Sequence, residues 1–332
     1  MHARRGRFQA VPQGGPGLYN AYSPGSPGNR MIRLPVSTIL SAVARNVSKR
    51  LGVTAWVHQV RGGMDRGGQD WSDRSIESHA AHVVEVFQTM HAAIGDVRGK
   101  TGAELGPGED VAVAYCFLKA GAKKMYTVER FASVKLDERA IALFRAVDLR
   151  LKGLHGVKAD DIATLHGGQV TLDPARLEHK IGRFEARGLP ESVDFIYSND
   201  VMEHVDDPAT IFRCAFDALK PGGKFVNNID LAGHNAFSNP SQPLDFLTCP
   251  DWLWSLMFSH IVTTNRVRYS EFLRCASAAG FEVEKEDVLV RAEEAYLQQV
   301  RPDFIERYRR LMDDDLGVIQ SRLLVVRPGA RT

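Results

Sequence analysis

The feature that most constrains the fold is an alternation of short apolar runs and helical patterns from residue 102 to residue 231. A helix that joins two strands of one sheet returns the chain to the edge where the first strand began, so the two strands run parallel. The pattern therefore predicts an α/β fold with a parallel sheet and crossover helices. The predicted strands are GAEL (102–105), KMYTVE (124–129), SVDFIYS (192–198), KFVNNIDL (224–231) and, at the end of the chain, GVIQSRLLVVRP (317–328).

The same patterns divide the chain into three parts. Residues 1–30 hold six glycines, four prolines and no acid, a composition that predicts a disordered tail, and Met31 is a second candidate for the first residue. Residues 31–71 are predicted as a helix over 31–51 followed by a glycine-rich loop. Residues 72–330 are predicted as the folded domain, which opens with a helix capped by Ser72 or Asp73. Further helices are predicted over 110–120 and 206–223, while 155–185 show no clear pattern.

The composition excludes several classes of protein. A net charge of +2 gives no support for a nucleic-acid-binding surface. The four cysteines show no CxxC spacing, which argues against disulfides and a zinc site and predicts a cytoplasmic protein. No apolar run approaches the roughly 20 residues of a transmembrane helix. The basic, amphipathic pattern over 31–51 leaves two alternatives open, a helix packed on the domain and peripheral contact with a membrane.

A glycine loop, ELGPGED (104–110), follows the first predicted strand. In a parallel sheet this loop usually forms the floor of a ligand site. Gly106 and Gly108 allow the backbone to approach a ligand closely. A dinucleotide-binding loop has a third glycine at the position of Val111. A nicotinamide dehydrogenase is therefore disfavoured.

Acids surround this loop and indicate a ligand without phosphates. Glu104 precedes it, and Glu109 and Asp110 follow, where they would repel a pyrophosphate at the start of the helix. S-adenosylmethionine has no phosphate and carries positive sulfonium and amino groups. Glu129 ends the second predicted strand and can accept hydrogen bonds from both ribose hydroxyls. These residues favour S-adenosylmethionine over a dinucleotide as the ligand, and a second motif decides between the two.

A second motif, DFIYSNDVMEHVDDP (194–208) followed by LKPGG (219–223), resembles the class I S-adenosylmethionine-dependent methyltransferases, of the type 11-like kind. The glycine loop is similar to that family's first motif in its proline-containing form, with Asp110 at the third glycine position. The resemblance covers about residues 75–328 and implies a doubly wound, mostly parallel seven-stranded sheet with helices on both faces. It also implies that Asn199 and Asp200 lie in the cofactor loop and that Glu185 contacts the adenine.

A further resemblance concerns the acceptor. NNIDLAGHNAF (227–237) and TTNRVRYSEFLRCASAAGF (263–281) are similar to segments of methyltransferases found with polysaccharide and other glycan biosynthesis genes. They imply a glycan or polar small-molecule acceptor, with an insert at about 232–266 that shapes its site. Arg266 and Arg268 are candidates for holding an anionic group, and Trp252 for stacking on a sugar ring. Solvation of the arginines and packing of the tryptophan are the alternatives.

Three side chains at strand ends are candidates for a general base: His204, Asp230 and His234. Neutral histidine is a competent base near pH 7, and Asp230 can orient His234. We therefore predict an O-methyltransferase in which His234 deprotonates a hydroxyl. A structural role for His204 and a surface position for His234 remain alternatives. His79 and His82 are predicted to be solvated.

Two alternative functions stay open. The acceptor could be a natural product or a lipid, with the same chemistry. The chain could also be a catalytically silent, methyltransferase-like protein that binds the cofactor or a partner.

Overall fold

The computed structural model describes residues 32–50, 75–187, 189, 192–234, 237, 239–257 and 264–329. The predicted tail over 1–30, most of the loop before residue 72, and the proposed caps Ser72 and Asp73 lie outside these residues. The strands are β1 (Thr101–Leu105), β2 (Lys124–Glu129), β3 (Ala163–His166), β4 (Gln169–Leu172), β5 (Leu177–Ile181), β6 (Val193–Asn199), β7 (Leu219–Asp230), β8 (Glu282–Arg291) and β9 (Val318–Val326).

Two helices of the described chain precede β1, and the others lie in the connections between strands. They are α1 (Val36–Arg50), α2 (Ile76–Ile94), α3 (Ala112–Lys119), α4 (Glu138–Arg150), α5 (Ala159–Ile162), α6 (Phe184–Arg187), α7 (Pro208–Ala218), α8 (Asp251–Met257), α9 (Tyr269–Ala278), α10 (Glu294–Val300), α11 (Glu306–Arg309) and α12 (Asp313–Leu316). Short 3₁₀ turns lie at Met202–His204, Asp245–Thr248 and Arg301–Asp303.

Seven strands form one sheet in the order β5-β2-β1-β6-β7-β9-β8. The five strands from β5 to β7 pair in parallel, and β9 runs antiparallel to both of its neighbours. The chain moves from β1 outward to β5 and then returns beside β1 to build the other half. The predicted doubly wound, mostly parallel sheet is therefore confirmed, and its order reverses between β1 and β6, where such sheets bind ligands.

Helices cover both faces of this sheet because side chains alternate along each strand. In β6, Phe195 and Tyr197 pack into the apolar cluster that contains α2, α3 and α4. Ile196 points to the other face and packs with residues of α7 and α9. The central strands are thus buried on both sides, which explains their nearly continuous apolar sequence.

Several helix boundaries differ from the prediction, and two of these differences have a clear physical reason. The cap of α2 is Ser75, whose hydroxyl oxygen accepts a hydrogen bond from the Ser78 N–H at 3.1 Å. Helix α7 ends at Ala218, five residues before the predicted end, and β7 begins at once. Pro221 accounts for this early end, because proline disfavours helical geometry at the residue before it and lacks an N–H donor.

A third apolar cluster joins α1 to the predicted insert and to α10 and α11. Asn46 of α1 donates a hydrogen bond to the Leu256 carbonyl at 2.8 Å, so one face of α1 packs on the domain. Val36 and Leu40 on α1 are exposed (68% and 64%), and peripheral membrane contact stays a prediction. No helix among the described residues combines the length and apolar character needed to cross a bilayer.

Candidate functional site

The carboxyl ends of β1, β2 and β6 meet around one cleft, here called the main cleft, which encloses about 1010 Å³ including its open mouth. Six residues predicted for the site line it: Gly106, Gly108, Glu129, Glu185, Asp200 and His204. The other predicted residues do not contribute to its wall: Glu104, Asn199, Asp230, Trp252, His234, Arg266 and Arg268. Much of the remaining wall is apolar and includes Leu105, Val128, Phe131, Phe184, Val201, Met202, Val205 and Ile211.

The glycine loop forms one wall because its two glycines hold a backbone shape that other residues resist. Gly106 and Gly108 have φ angles of +68° and +76°, in the left-handed region. A Cβ atom on Gly106 would lie 2.5 Å from Val201 Cγ2, whereas one on Gly108 would have no atom within 4 Å. Gly106 thus allows the loop to approach the segment after β6, and Gly108 keeps its side of the loop open.

Glu129 stands at the end of β2, where its carboxylate faces the cleft. One oxygen accepts a hydrogen bond from the Gly108 N–H at 3.2 Å and the other from the Phe131 N–H at 3.1 Å. Burial raises the pKa of Glu129, and these N–H groups oppose that shift. Each carboxylate oxygen has a second lone pair, so the group can still accept hydrogen bonds from a diol.

Glu104 was predicted to favour a cationic ligand through its negative charge, and its surroundings in the structure do not favour that charge. It is only 6% exposed, and its Oε2 atom has no hydrogen-bond partner among the described residues. Burial, together with the negative charge of Asp110, raises its pKa to about 8. At neutral pH the side chain is therefore largely protonated and lies behind the glycine loop.

An ion-pair group closes one rim of the main cleft. Arg183 Nη2 lies 2.5 Å from Glu185 Oε1 and 2.8 Å from Asp206 Oδ2. The pairing connects α6 with the segment that follows β6. Glu185 is thus at the cleft, as predicted, while contact with an adenine stays a prediction.

Asn199 and Asp200 end β6 beside the cleft. Asp200 adopts a left-handed φ of +55°, and its carboxylate accepts a hydrogen bond from the Asn199 side-chain amide at 2.8 Å. Asn199 in turn accepts one from Asn228 at 2.8 Å. Asp200 opens to the cleft, yet the surrounding protein, followed by the charge of Asp230, raises its pKa to about 6.

A histidine pair connects the end of β7 to the main cleft. His234 Nε2 lies 3.3 Å from Asp230 Oδ2, and His234 Nδ1 lies 3.1 Å from His204 Nε2. His204 lines the cleft and His234 stands behind it. Burial tends to raise the pKa of Asp230, but contact with His234 and the Ala232 N–H outweigh it and hold that pKa below its ordinary value. The structure therefore brings together all three predicted base candidates.

Arg266 and Arg268 are buried, at 4% and 3% exposure, away from the main cleft. Arg266 donates to the Cys249 carbonyl at 2.7 Å and pairs with Asp251. Arg268 donates to three backbone carbonyls, those of Leu231, Leu316 and Val318. Solvation of the two arginines is therefore wrong, and their contacts fasten the insert and β9 to α9. Binding of an anionic group by these side chains stays a prediction.

Trp252 is 66% exposed on α8 and lies outside the main cleft. Its neighbour Trp254 is buried, with ring centroids 5.2 Å from Phe237 and 5.7 Å from Phe246. Trp254 thus packs in the third apolar cluster, which the insert shares with α1, α10 and α11. Stacking of Trp252 on a sugar stays a prediction.

His79 was predicted to be solvated, and this was wrong. It is 5% exposed, and its Nε2 lies 2.9 Å from Asp110 Oδ2. The contact joins α2 to the loop before α3 at a second, smaller cavity of about 330 Å³. The sequence holds no local signal for it, because 31 residues separate the partners.

A comparison with protein families gives a match over more than half of the chain. A family model described as a methyltransferase domain matches residues 76–286. A search of curated proteins finds no significant match.

Solved structures similar to this chain are distant in sequence. An S-adenosylmethionine-dependent methyltransferase from Mesorhizobium loti is 18% identical, with a TM-score of 0.39 over 72% of this chain and 96% of that one. Phosphoethanolamine N-methyltransferase 2 from Haemonchus contortus, in complex with S-adenosyl-L-methionine, is 14% identical, with a TM-score of 0.41 over 80% of this chain and 60% of that one.

Proposed function

We propose that this chain, which belongs to the family of methyltransferase domains and is an enzyme with S-adenosylmethionine as its cofactor, methylates a hydroxyl group of a small molecule or glycan. The observation that carries the proposal is the series of contacts from Asp230 through His234 to His204, which ends at the main cleft. A hydroxyl acceptor has a proton to lose, and this series can receive it.

The residues of the main cleft fit the cofactor. The glycine loop brings backbone close to the ligand space, and Glu129 offers carboxylate oxygens to a ribose diol. Apolar side chains such as Phe184 and Ile211 supply surface for an adenine ring. When bound, S-adenosylmethionine supplies an electrophilic methyl group on a positively charged sulfur.

The histidine pair favours proton transfer at the cleft. Asp230 beside Nε2 of His234 favours the tautomer with its hydrogen on Nε2, so that Nδ1 accepts from the His204 Nε2–H. His204, the member of the pair that lines the cleft, then takes the hydroxyl proton, and Asp230 stabilises the resulting positive charge through His234. The hydroxyl oxygen forms its bond to the methyl carbon as the carbon–sulfur bond breaks, and the sulfur keeps that electron pair. We therefore assign the base role predicted for His234 to His204.

Turnover of methyl-labelled S-adenosylmethionine with a panel of sugars and nucleotide sugars tests this function. His204→Gln should lower the maximal rate by about 10²–10⁴ and leave the affinity for S-adenosylhomocysteine nearly unchanged. His234→Gln should lower the rate less and alter its pH profile, since it acts through His204. Full activity of His204→Gln, or loss of its cofactor binding, would contradict the assignment.

A panel that includes lipids and hydroxylated natural products separates the alternatives. Turnover with lipids or natural products alone would support the same methyl transfer to a hydroxyl, with a lipid or natural product as the acceptor. Binding of S-adenosylhomocysteine with no turnover of any probe would favour a catalytically silent protein.

A further inference from the structure

Three potential metal ligands converge beside the main cleft. Glu203, His204 and His234 each offer one ligand atom, and these atoms all lie within 4.8 Å of one another. Glu203 is 1% exposed, and neither of its carboxylate oxygens has a hydrogen-bond partner among the described residues. A carboxyl group buried without partners becomes neutral either by taking up a proton, which burial favours by raising the pKa of Glu203, or by binding a cation. The imidazole Nε2 of His234 lies 4.0 Å from its Oε1 atom.

We propose that Glu203, His204 and His234 bind a divalent transition-metal ion of the zinc and cobalt class. Two imidazoles and one carboxylate suit such ions better than magnesium or calcium, which prefer oxygen ligands. Metal–nitrogen bonds of about 2.0–2.1 Å place neighbouring nitrogens roughly 3–3.5 Å apart. His204 Nε2 and His234 Nδ1 are already 3.1 Å apart, and Glu203 offers a third ligand atom within 4.8 Å of a ligand atom on each histidine.

Asp230 completes the arrangement from behind. A metal-binding histidine usually gives its other ring N–H to a carboxylate, which fixes the ring and its tautomer. His234 Nε2 lies 3.3 Å from Asp230 Oδ2, so Nδ1 is left to face the ion. For His234, the tautomer that serves the histidine pair is therefore also the one that binds a metal, whereas His204 must carry its hydrogen on Nδ1 so that its Nε2 faces the ion.

A role for this ion in catalysis rests on the proposed function, whereas the binding site does not. Three protein ligands leave open coordination positions toward the cleft. A hydroxyl bound there loses its proton to water more readily, and its oxygen then takes the methyl carbon as the carbon–sulfur bond breaks. An imidazole that binds the ion through Nε2 carries its hydrogen on Nδ1 and has no lone pair left for a proton, so the loaded enzyme does not use His204 as its base.

The test is a titration of the full chain, stripped with a chelator and dialysed, with Zn²⁺ by calorimetry and Co²⁺ by visible absorption. We expect one ion per chain. Glu203→Gln and His234→Gln should each weaken binding by at least about tenfold. His155→Gln, which removes an exposed histidine outside the cluster, should not weaken it. Melting temperature and S-adenosylhomocysteine affinity, measured on every variant, identify any that fails to fold.

The outcomes separate this inference from the proposed function. Binding that depends on both Glu203 and His234 supports the site even when no hydroxyl acceptor is methylated. Absence of saturable binding, or equal binding by all three variants, overturns it. Full turnover by a chain that binds no ion overturns the site and leaves the proposed function standing on the histidine pair.

Discussion

Replacing Gly106 with alanine should lower the free energy of unfolding by about 2–5 kcal/mol. Two effects add. Gly106 has a φ of +68°, and a left-handed conformation costs an L-residue about 1–2 kcal/mol. The new Cβ would lie 2.5 Å from Val201 Cγ2 and 3.0 Å from Val201 Cγ1, and such overpacking typically costs about 1–3 kcal/mol.

Gly108→Ala is the matched control. Its φ of +76° carries the same conformational cost, but its Cβ would meet no atom within 4 Å. The difference in stability between the two variants therefore isolates the contact with Val201. Adding Val201→Ala to Gly106→Ala should recover part of that difference, because the contacted methyl groups are removed.

Urea denaturation of the three variants, followed by circular dichroism, measures these free energies. Gly106→Ala should unfold at clearly lower urea than Gly108→Ala, with a similar slope. Gly108→Ala should instead lose affinity for the cofactor, since its methyl group projects into the main cleft. If Gly106→Ala is as stable as Gly108→Ala, the close approach of the glycine loop to Val201 is wrong.

Three further predictions follow from the buried charges and the tail. Burial and the charge of Asp110 raise the pKa of Glu104 from 4.5 to about 8. Between these pH values the folded chain holds a proton on Glu104 that the unfolded chain has lost. The free energy of unfolding should therefore fall as the pH rises between them, by at most about 1.4 kcal/mol per pH unit. In denaturation experiments at several pH values, Glu104→Gln should reduce the change of the unfolding free energy with pH. An unchanged pH dependence would contradict the raised pKa of Glu104. Arg268→Met should lower the free energy of unfolding by about 3 kcal/mol or more, because three carbonyls lose their donor. A variant that keeps full stability and loses turnover would instead support a role for Arg268 in binding the acceptor. A chain without residues 1–30 should keep its melting temperature and cofactor affinity, and a drop in either would show that the tail contributes to the fold.

The sequence predicted the elements whose burial leaves a pattern. Strands β1, β2, β6 and β7 are buried on both faces and read as apolar runs, and Gly106, Gly108 and Glu129 stand at fixed positions beside them. The edge strands β5 and β8 were not predicted, because strands with little burial leave no such pattern. In β5 only Leu177 is fully buried, and β8 is exposed along most of its length, so neither carries a periodic signal.

Contacts between segments that are distant in the chain could not be predicted from local sequence patterns. Arg266 and Arg268 look like surface residues in the sequence, and only the fold shows the carbonyls that surround them. The partners in the histidine pair are 30 residues apart, and their approach depends on the register between β6 and β7. The turn at Met202–His204 places His204, and not His234, in the wall of the main cleft. The sequence alone favoured His234.

The most direct test of the account is a calorimetric titration of the chain with S-adenosylhomocysteine and, in parallel, with NAD. We predict one S-adenosylhomocysteine site per chain and no binding of NAD. Glu129→Ala should weaken the S-adenosylhomocysteine site by about 1.5–3 kcal/mol, because the charged carboxylate no longer accepts from the ribose hydroxyls. Binding of NAD at the same site, or an S-adenosylhomocysteine affinity that Glu129→Ala leaves unchanged, would contradict it.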